Sequence, residues 1–226
     1  MRVMSSVFRP MAIGMAIIAL LVISHRPVKA DEVTLTGYTN GCFCIAPPNT
    51  LAVQVDSTFG LMYTNSTFNG TTAEGFRAFG AAPAPPGTQA VNNFGSFFLA
   101  SSLANYTGNI FTLRVTFSAP AGIAGSSSSL FFATLTGAVA SDNQGGVFID
   151  FNNTPQVFTF TNGSGSGSFS LVVNDLSIDP NSANDISANI FGPQQTTTVP
   201  EPTGMLLIGT GLIGLAGLIR RLTRSK

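Results

Sequence analysis

Residues 110–118 read Ile-Phe-Thr-Leu-Arg-Val-Thr-Phe-Ser. Phe111, Leu113, Val115 and Phe117 fall on one side of an extended chain, Thr112, Arg114, Thr116 and Ser118 on the other. Side chains along a strand point alternately to its two faces, so this stretch buries one face and wets the other. That is the signature of an antiparallel sheet with one side on a core.

Working outward, short apolar stretches predict further strands at 33–38, 51–56, 94–100, 130–139, 147–151, 157–161, 169–174 and 186–190. The breaks between them carry their own stop signals. Ala119-Pro120-Ala121-Gly122, Asn143-Gln144-Gly145-Gly146, Asn152-Asn153-Thr154-Pro155 and Asn162-Gly163-Ser164-Gly165 are turn sequences by residue chemistry. Nothing longer than a few residues keeps a helical period. Residues 65–86 close on Ala81-Ala82-Pro83-Ala84-Pro85-Pro86 and predict a long loop over one sheet. The fold class is therefore all-β: an antiparallel β-sandwich, jelly-roll-like, over residues 31–191. A polar linker is expected at 192–203.

The formal net charge of zero hides an asymmetry, because the two ends hold almost all the cations. Between residues 31 and 199 stand Asp31, Glu32, Asp56, Glu74, Asp142, Asp150, Asp175, Asp179 and Asp185, opposed only by Arg77 and Arg114. The body is thus about −7 and contains no lysine. Such a surface repels phosphate backbones, so nucleic acid is excluded as a partner. The body holds 18 phenylalanines, enough with Val, Ile and Leu to fill one core, and no tryptophan.

Few residues invite chemistry. A nucleophile needs a neighbouring base, and the only histidine of the chain is His25, in the first thirty residues. A carboxylate pair among Asp142, Asp150 and Asp175 is the remaining enzymatic option. Nothing in their spacing recommends it, so neither an enzyme nor a cofactor is expected. Tyr38, Tyr63 and Tyr106 could stack on sugar, which makes a non-catalytic carbohydrate-binding module the alternative reading. Asp175, Asp179, Asn181, Asn184 and Asp185 form an oxygen-rich stretch that could attract calcium. It departs from the EF-hand pattern, since Ala183 stands where a ligand belongs and the distal Glu is missing. The default there is a solvated turn.

Cys42 and Cys44 are the only cysteines. Two residues apart on a strand, their Cα atoms lie about 6.5–7 Å apart, near the limit for a disulfide, so a bridge needs a local turn. Asn40-Gly41 and Ala46-Pro47-Pro48 could supply one. Free or intermolecular thiols and a metal site are the alternatives, although a closed metal site wants further Cys or His.

The ends have a different character. Arg2 and Arg9 precede an apolar run at 11–23 and a polar stretch ending in Ala30, the pattern of a secretory signal peptide over residues 1–30. Signal peptidase would cut between Ala30 and Asp31 after Sec export. At the other end, Val199-Pro200-Glu201-Pro202 is followed by an uncharged apolar run at 204–219 and by Arg220, Arg221, Arg224 and Lys226 in the tail at 220–226. The prolines keep Glu201 in an extended, exposed peptide. As a helix the apolar run reaches roughly 24 Å, against ~30 Å of hydrocarbon, so one C-terminal transmembrane helix with snorkelling arginines is expected. The cations hold that end in the cytoplasm.

This order of Val-Pro-Glu-Pro, apolar span and basic cluster resembles the PEP-CTERM sorting signal of exported proteins in Gram-negative bacteria. The resemblance covers the last 28 residues and implies an exosortase, a membrane protease-transpeptidase, as partner. It would cut near Pro200-Glu201-Pro202 and release or re-attach the remainder at the cell surface. A plain C-terminal anchor is the alternative. The Phe-rich strands around Ser118-Ala119-Pro120-Ala121-Gly122-Ile123 also look like ectodomains that such proteins carry. The role implied is structural or adhesive, in the envelope or an exopolysaccharide matrix.

Overall fold

The computed structural model describes residues 32–52, 54–141, 143–163 and 165–196, with 211–212, 214–215 and 220 in the tail. The first half contributes β1 (Thr34–Cys42), β2 (Val55–Thr58), β3 (Leu61–Thr64), β4 (Ser66–Thr71), β5 (Phe76–Phe79), β6 (Ala90–Val91), β7 (Ser96–Leu99) and β8 (Ala104–Asn105). The second half contributes β9 (Ile110–Ala119), β10 (Ser128–Val139), β11 (Gly145–Phe151), β12 (Gln156–Asn162), β13 (Gly165–Val173), β14 (Leu176–Ile178), β15 (Ser182–Asp185) and β16 (Ala188–Thr196).

The largest sheet runs β14-β11-β10-β9-β1-β4-β6, with β8 also on β10; two four-stranded sheets run β12-β13-β16-β5 and β15-β7-β3-β2. Pairing is antiparallel apart from β4 with β6. Strand β9 sits in the middle of the large sheet, and Phe111, Leu113, Val115 and Phe117 all face inward, buried. Rings join that sheet to both smaller ones. Phe117 lies 4.9 Å from Phe158 and 5.0 Å from Phe169, Phe111 lies 4.9 Å from Phe97, and Phe68 lies 5.3 Å from Phe79. One continuous core therefore separates curled sheets, the arrangement of a β-sandwich. Each fully buried ring in it contributes about 1.5–3 kcal/mol.

Three expectations need correction. The strand expected at 51–56 begins only at Val55, because the carbonyls of Ala52 and Gln54 are taken by the Asn65 side chain and backbone N–H rather than by a ladder. The loop expected at 65–86 contains β4, paired with β1, and β5, paired with β16; the turn at 72–75 and the Ala-Pro end from residue 80 onward lie outside both strands. β4 alternates buried Ser66 and Phe68 with Thr67 and Asn69, so too few of its inward residues are apolar to announce it. Finally, β16 runs on to Thr196, so residues 192–196 of the expected polar linker belong to a sheet.

Residues 1–31, most of 204–219, and Arg221, Arg224 and Lys226 lie outside the described residues, and with them the expected signal helix and transmembrane helix. Gly211, Leu212, Gly214, Leu215 and Arg220 have helical backbone. Among the described residues no helix is long and apolar enough to cross a membrane.

Candidate functional site

Cys42 and Cys44 form a disulfide with Cα atoms 5.0 Å apart, closer than a straight strand permits. The strand ends at Cys42 and the chain bends over Phe43. Phe43 turns inward and packs at 5.3 Å from Phe111 and 6.4 Å from Phe97. Its backbone N–H donates to Oδ2 of Asp56 at 2.7 Å. Cys42 is buried and Cys44 exposed.

The chain then crosses back over the outer face of β9 as a strap, held by that strand's polar side chains. Thr112 Oγ1 donates to the carbonyl of Cys44 at 2.6 Å. Arg114 Nε donates to the carbonyl of Pro47 at 3.0 Å, and Thr116 Oγ1 to Oδ1 of Asn49 at 2.9 Å. Tyr38 Oη donates to the same Asn49 oxygen at 2.9 Å. The polar face of the 110–118 stretch, expected to be wet, is instead covered by the strap: Thr112 and Thr116 are buried and Arg114 half-buried, because their polar groups bond to the strap rather than to solvent. Sequence reasoning missed Asn49, Asp56 and the fastening role of Thr112, Arg114 and Thr116. The available signal was an Arg among threonines on a strand whose outer face had no stated partner.

The tyrosines do not form a platform. Tyr63 and Tyr106 are fully buried, which removes them as sugar-stacking residues. Tyr106 Oη donates to the carbonyl of Phe59 at 2.6 Å, and Tyr63 Oη shares a hydrogen bond with Thr39 Oγ1 at 3.1 Å. Burial pushes both phenols above their ordinary range. Only Tyr38 keeps some exposure.

The oxygen-rich stretch is spread over two strands and their connection. Asp175 Oδ1 accepts from the Phe151 N–H at 2.8 Å and from Asn153 Nδ2 at 3.1 Å. Asn181 adopts φ 58° between β14 and β15, with its N–H on the carbonyl of Leu99. Asn184 Nδ2 donates to the carbonyl of Ser177 at 2.9 Å. The carbonyl of Asp179 accepts from Ser182 Oγ, and Asp185 lies in β15 with Oδ2 enclosed. Among the described residues no three acidic, Cys or His side chains come together to hold a metal ion. Asp150 is exposed on β11, and Asp142 lies outside the described residues.

The remaining site is where the chain leaves the fold. Through residues 188–191, β16 is gripped on both sides, by β13 and by β5, with Ala188 and Ile190 fully buried. Gly192 N–H donates to the carbonyl of Gly75 at 3.0 Å, the last bond on the β5 side. Beyond it, among the described residues, only β13 continues, with Gln194 opposite Ser168, Gln195 opposite Gly167 and Thr196 opposite Ser166. Val199, Pro200, Glu201 and Pro202 follow at once, outside the described residues, as do Ala30 and Asp31 at the other end.

Residues 198–221 match the PEP-CTERM protein-sorting motif. The match begins two residues beyond the last residue of β16. No curated protein and no solved structure matches the chain. The motif marks an exported protein with a C-terminal sorting signal that an exosortase processes.

Proposed function

We propose that this chain is a bacterial surface protein whose β-sandwich is the delivered part and whose tail is a temporary handle. The motif at 198–221 carries the reading. Export by Sec and removal of residues 1–30 by signal peptidase precede the C-terminal step. The apolar run at 204–219 holds the chain in the membrane, with Arg220, Arg221, Arg224 and Lys226 on the cytoplasmic side, until an exosortase cuts near Pro200-Glu201-Pro202. The delivered domain then has a structural or adhesive role in the envelope or in an exopolysaccharide matrix. A disulfide within the body suits the oxidising compartment this route leads to. The body's charge of about −7 suits a protein that stays dissolved there.

Intact-mass measurement of the protein recovered from the envelope of a host that makes the exosortase tests this reading. The expected species starts at Asp31 and ends within 200–202, with or without an added group. A species retaining both ends in a cytosolic fraction overturns it.

A further inference from the structure

The fold changes character at Gly192. Among the described residues, 188–191 have strand partners on both edges and 194–196 have one, on one edge. Gly192 has φ +67°, in the left-handed region where glycine is at home, and it lies where β16 shifts register against β13. Pro193 adds no N–H to any ladder. The partner segment is itself poor at holding a strand: Gly165, Ser166, Gly167 and Ser168 supply two glycines and no apolar side chain, and the register slips between Ser168 and Ser170. Just past this loosely held edge comes the sorting motif.

A protease that binds its substrate as an extended strand holds it by main-chain hydrogen bonds along that strand. While residues 194–196 are paired with β13, that edge is closed to an enzyme cleft and only the opposite edge, which β5 leaves at Phe191, is open. We propose that residues 192–196 form a peelable segment that detaches from β13 at Gly192 so that the sorting motif can enter the processing enzyme. This rests on the exosortase reading and adds to it a control built into the domain. Reach supports the idea. With β16 paired to Thr196, residues 197–203 span at most about 23 Å from the sheet to the apolar run; released back to Phe191, the chain spans about 40 Å. Peeling therefore adds roughly 17 Å between the sandwich and the membrane, room for an enzyme to approach.

Two measurements test this. In hydrogen exchange on the purified full chain in detergent, the amides of Gln194, Gln195 and Thr196 are expected to exchange at least 100-fold faster than those of residues 188–191. Equal protection overturns the proposal. In the exosortase-producing host, the double variant Ser166→Cys with Thr196→Cys joins two register partners by a disulfide. The cross-linked form, confirmed by mass, is expected to be processed at least tenfold more slowly than either single variant. Processing at the single-variant rate overturns the peeling step alone. A wild-type chain that is never cut overturns the exosortase reading, and the proposal with it.

Discussion

The Phe43 N–H donates to Asp56 Oδ2 at 2.7 Å, so a carboxylate from β2 holds the residue between the two bridged cysteines. The other oxygen, Oδ1, accepts from the Ser57 N–H at 2.9 Å. Replacing Asp56 by Ala leaves a partly buried N–H unpaired where a charged acceptor stood. The expected loss is about 1–2 kcal/mol, read as a lower midpoint in urea at unchanged slope. An unchanged midpoint would show that the bend keeps its shape without that carboxylate.

The disulfide closes a ring of only three residues, so it restricts the unfolded chain little. Cys42→Ser with Cys44→Ser is expected to lose about 1–2 kcal/mol on loop-closure grounds, far below the value for a long loop. Phe43→Ala removes ring contacts at 5.3 Å and 6.4 Å and, since the ring is only partly buried, is expected to lose about 3 kcal/mol, the low end for a core phenylalanine. The order predicted by thermal unfolding is therefore Phe43→Ala below the double serine variant. The reverse order would mean that the covalent link, rather than the ring it positions, anchors the strap.

Gly37 marks the point where β1 slips register against β9. A Cβ there would stand 2.2 Å from the Thr116 carbonyl oxygen and 2.4 Å from the Phe68 ring. Neither can yield cheaply, since one is backbone in a central strand and the other is packed against Phe79, Phe94 and Phe117. Gly37→Ala is expected to cost about 1–3 kcal/mol or more, and to broaden the methyl and aromatic resonances around Phe68. A variant as stable as the parent would contradict the close approach of the two strands.

How much of this was legible follows from what each element shows a reader of the sequence. β9 announces itself because four apolar residues alternate with four polar ones over a long strand. β5 does not: in Phe76-Arg77-Ala78-Phe79 the inward pair is Arg77 and Phe79, with the guanidinium carbon 5.4 Å from the Phe79 ring centre. An inward arginine covered by an aromatic face looks like a break in the pattern. Tyr63 and Tyr106 illustrate a second limit, since a phenol with an internal acceptor can be buried as fully as a phenylalanine, and sequence spacing carries no trace of that acceptor. The tail is the opposite case. Its signal is linear and composition-based, so Val199 to Lys226 could be read without any fold at all, whereas the strand that delivers it, β16, was cut short because Gly192 and Pro193 look like the start of a linker.

Asp185 gives the last prediction. It lies in β15 opposite Ser96, with Oδ2 enclosed and without a hydrogen-bond partner among the described residues. A Cβ on Gly80 would come within 3.6 Å of that oxygen, which shows how closely the neighbouring chain covers it. Burial disfavours the charged form and raises the carboxyl above its ordinary 3.8, with its own backbone N–H opposing the shift. The folded protein then binds this proton more tightly than the unfolded chain does. Stability from this group is complete below the unfolded value near 3.8 and is lost as the pH rises through the higher folded value, after which it stays flat. Asp185→Asn keeps the shape and cannot ionise. The variant is therefore expected to gain on the parent as the pH is raised from about 3 to 7, most steeply between 3.8 and the raised folded value, in paired urea titrations. A gap between parent and variant that stays constant over that range, or one that closes as the pH rises, would show that the enclosed oxygen carries its charge without penalty.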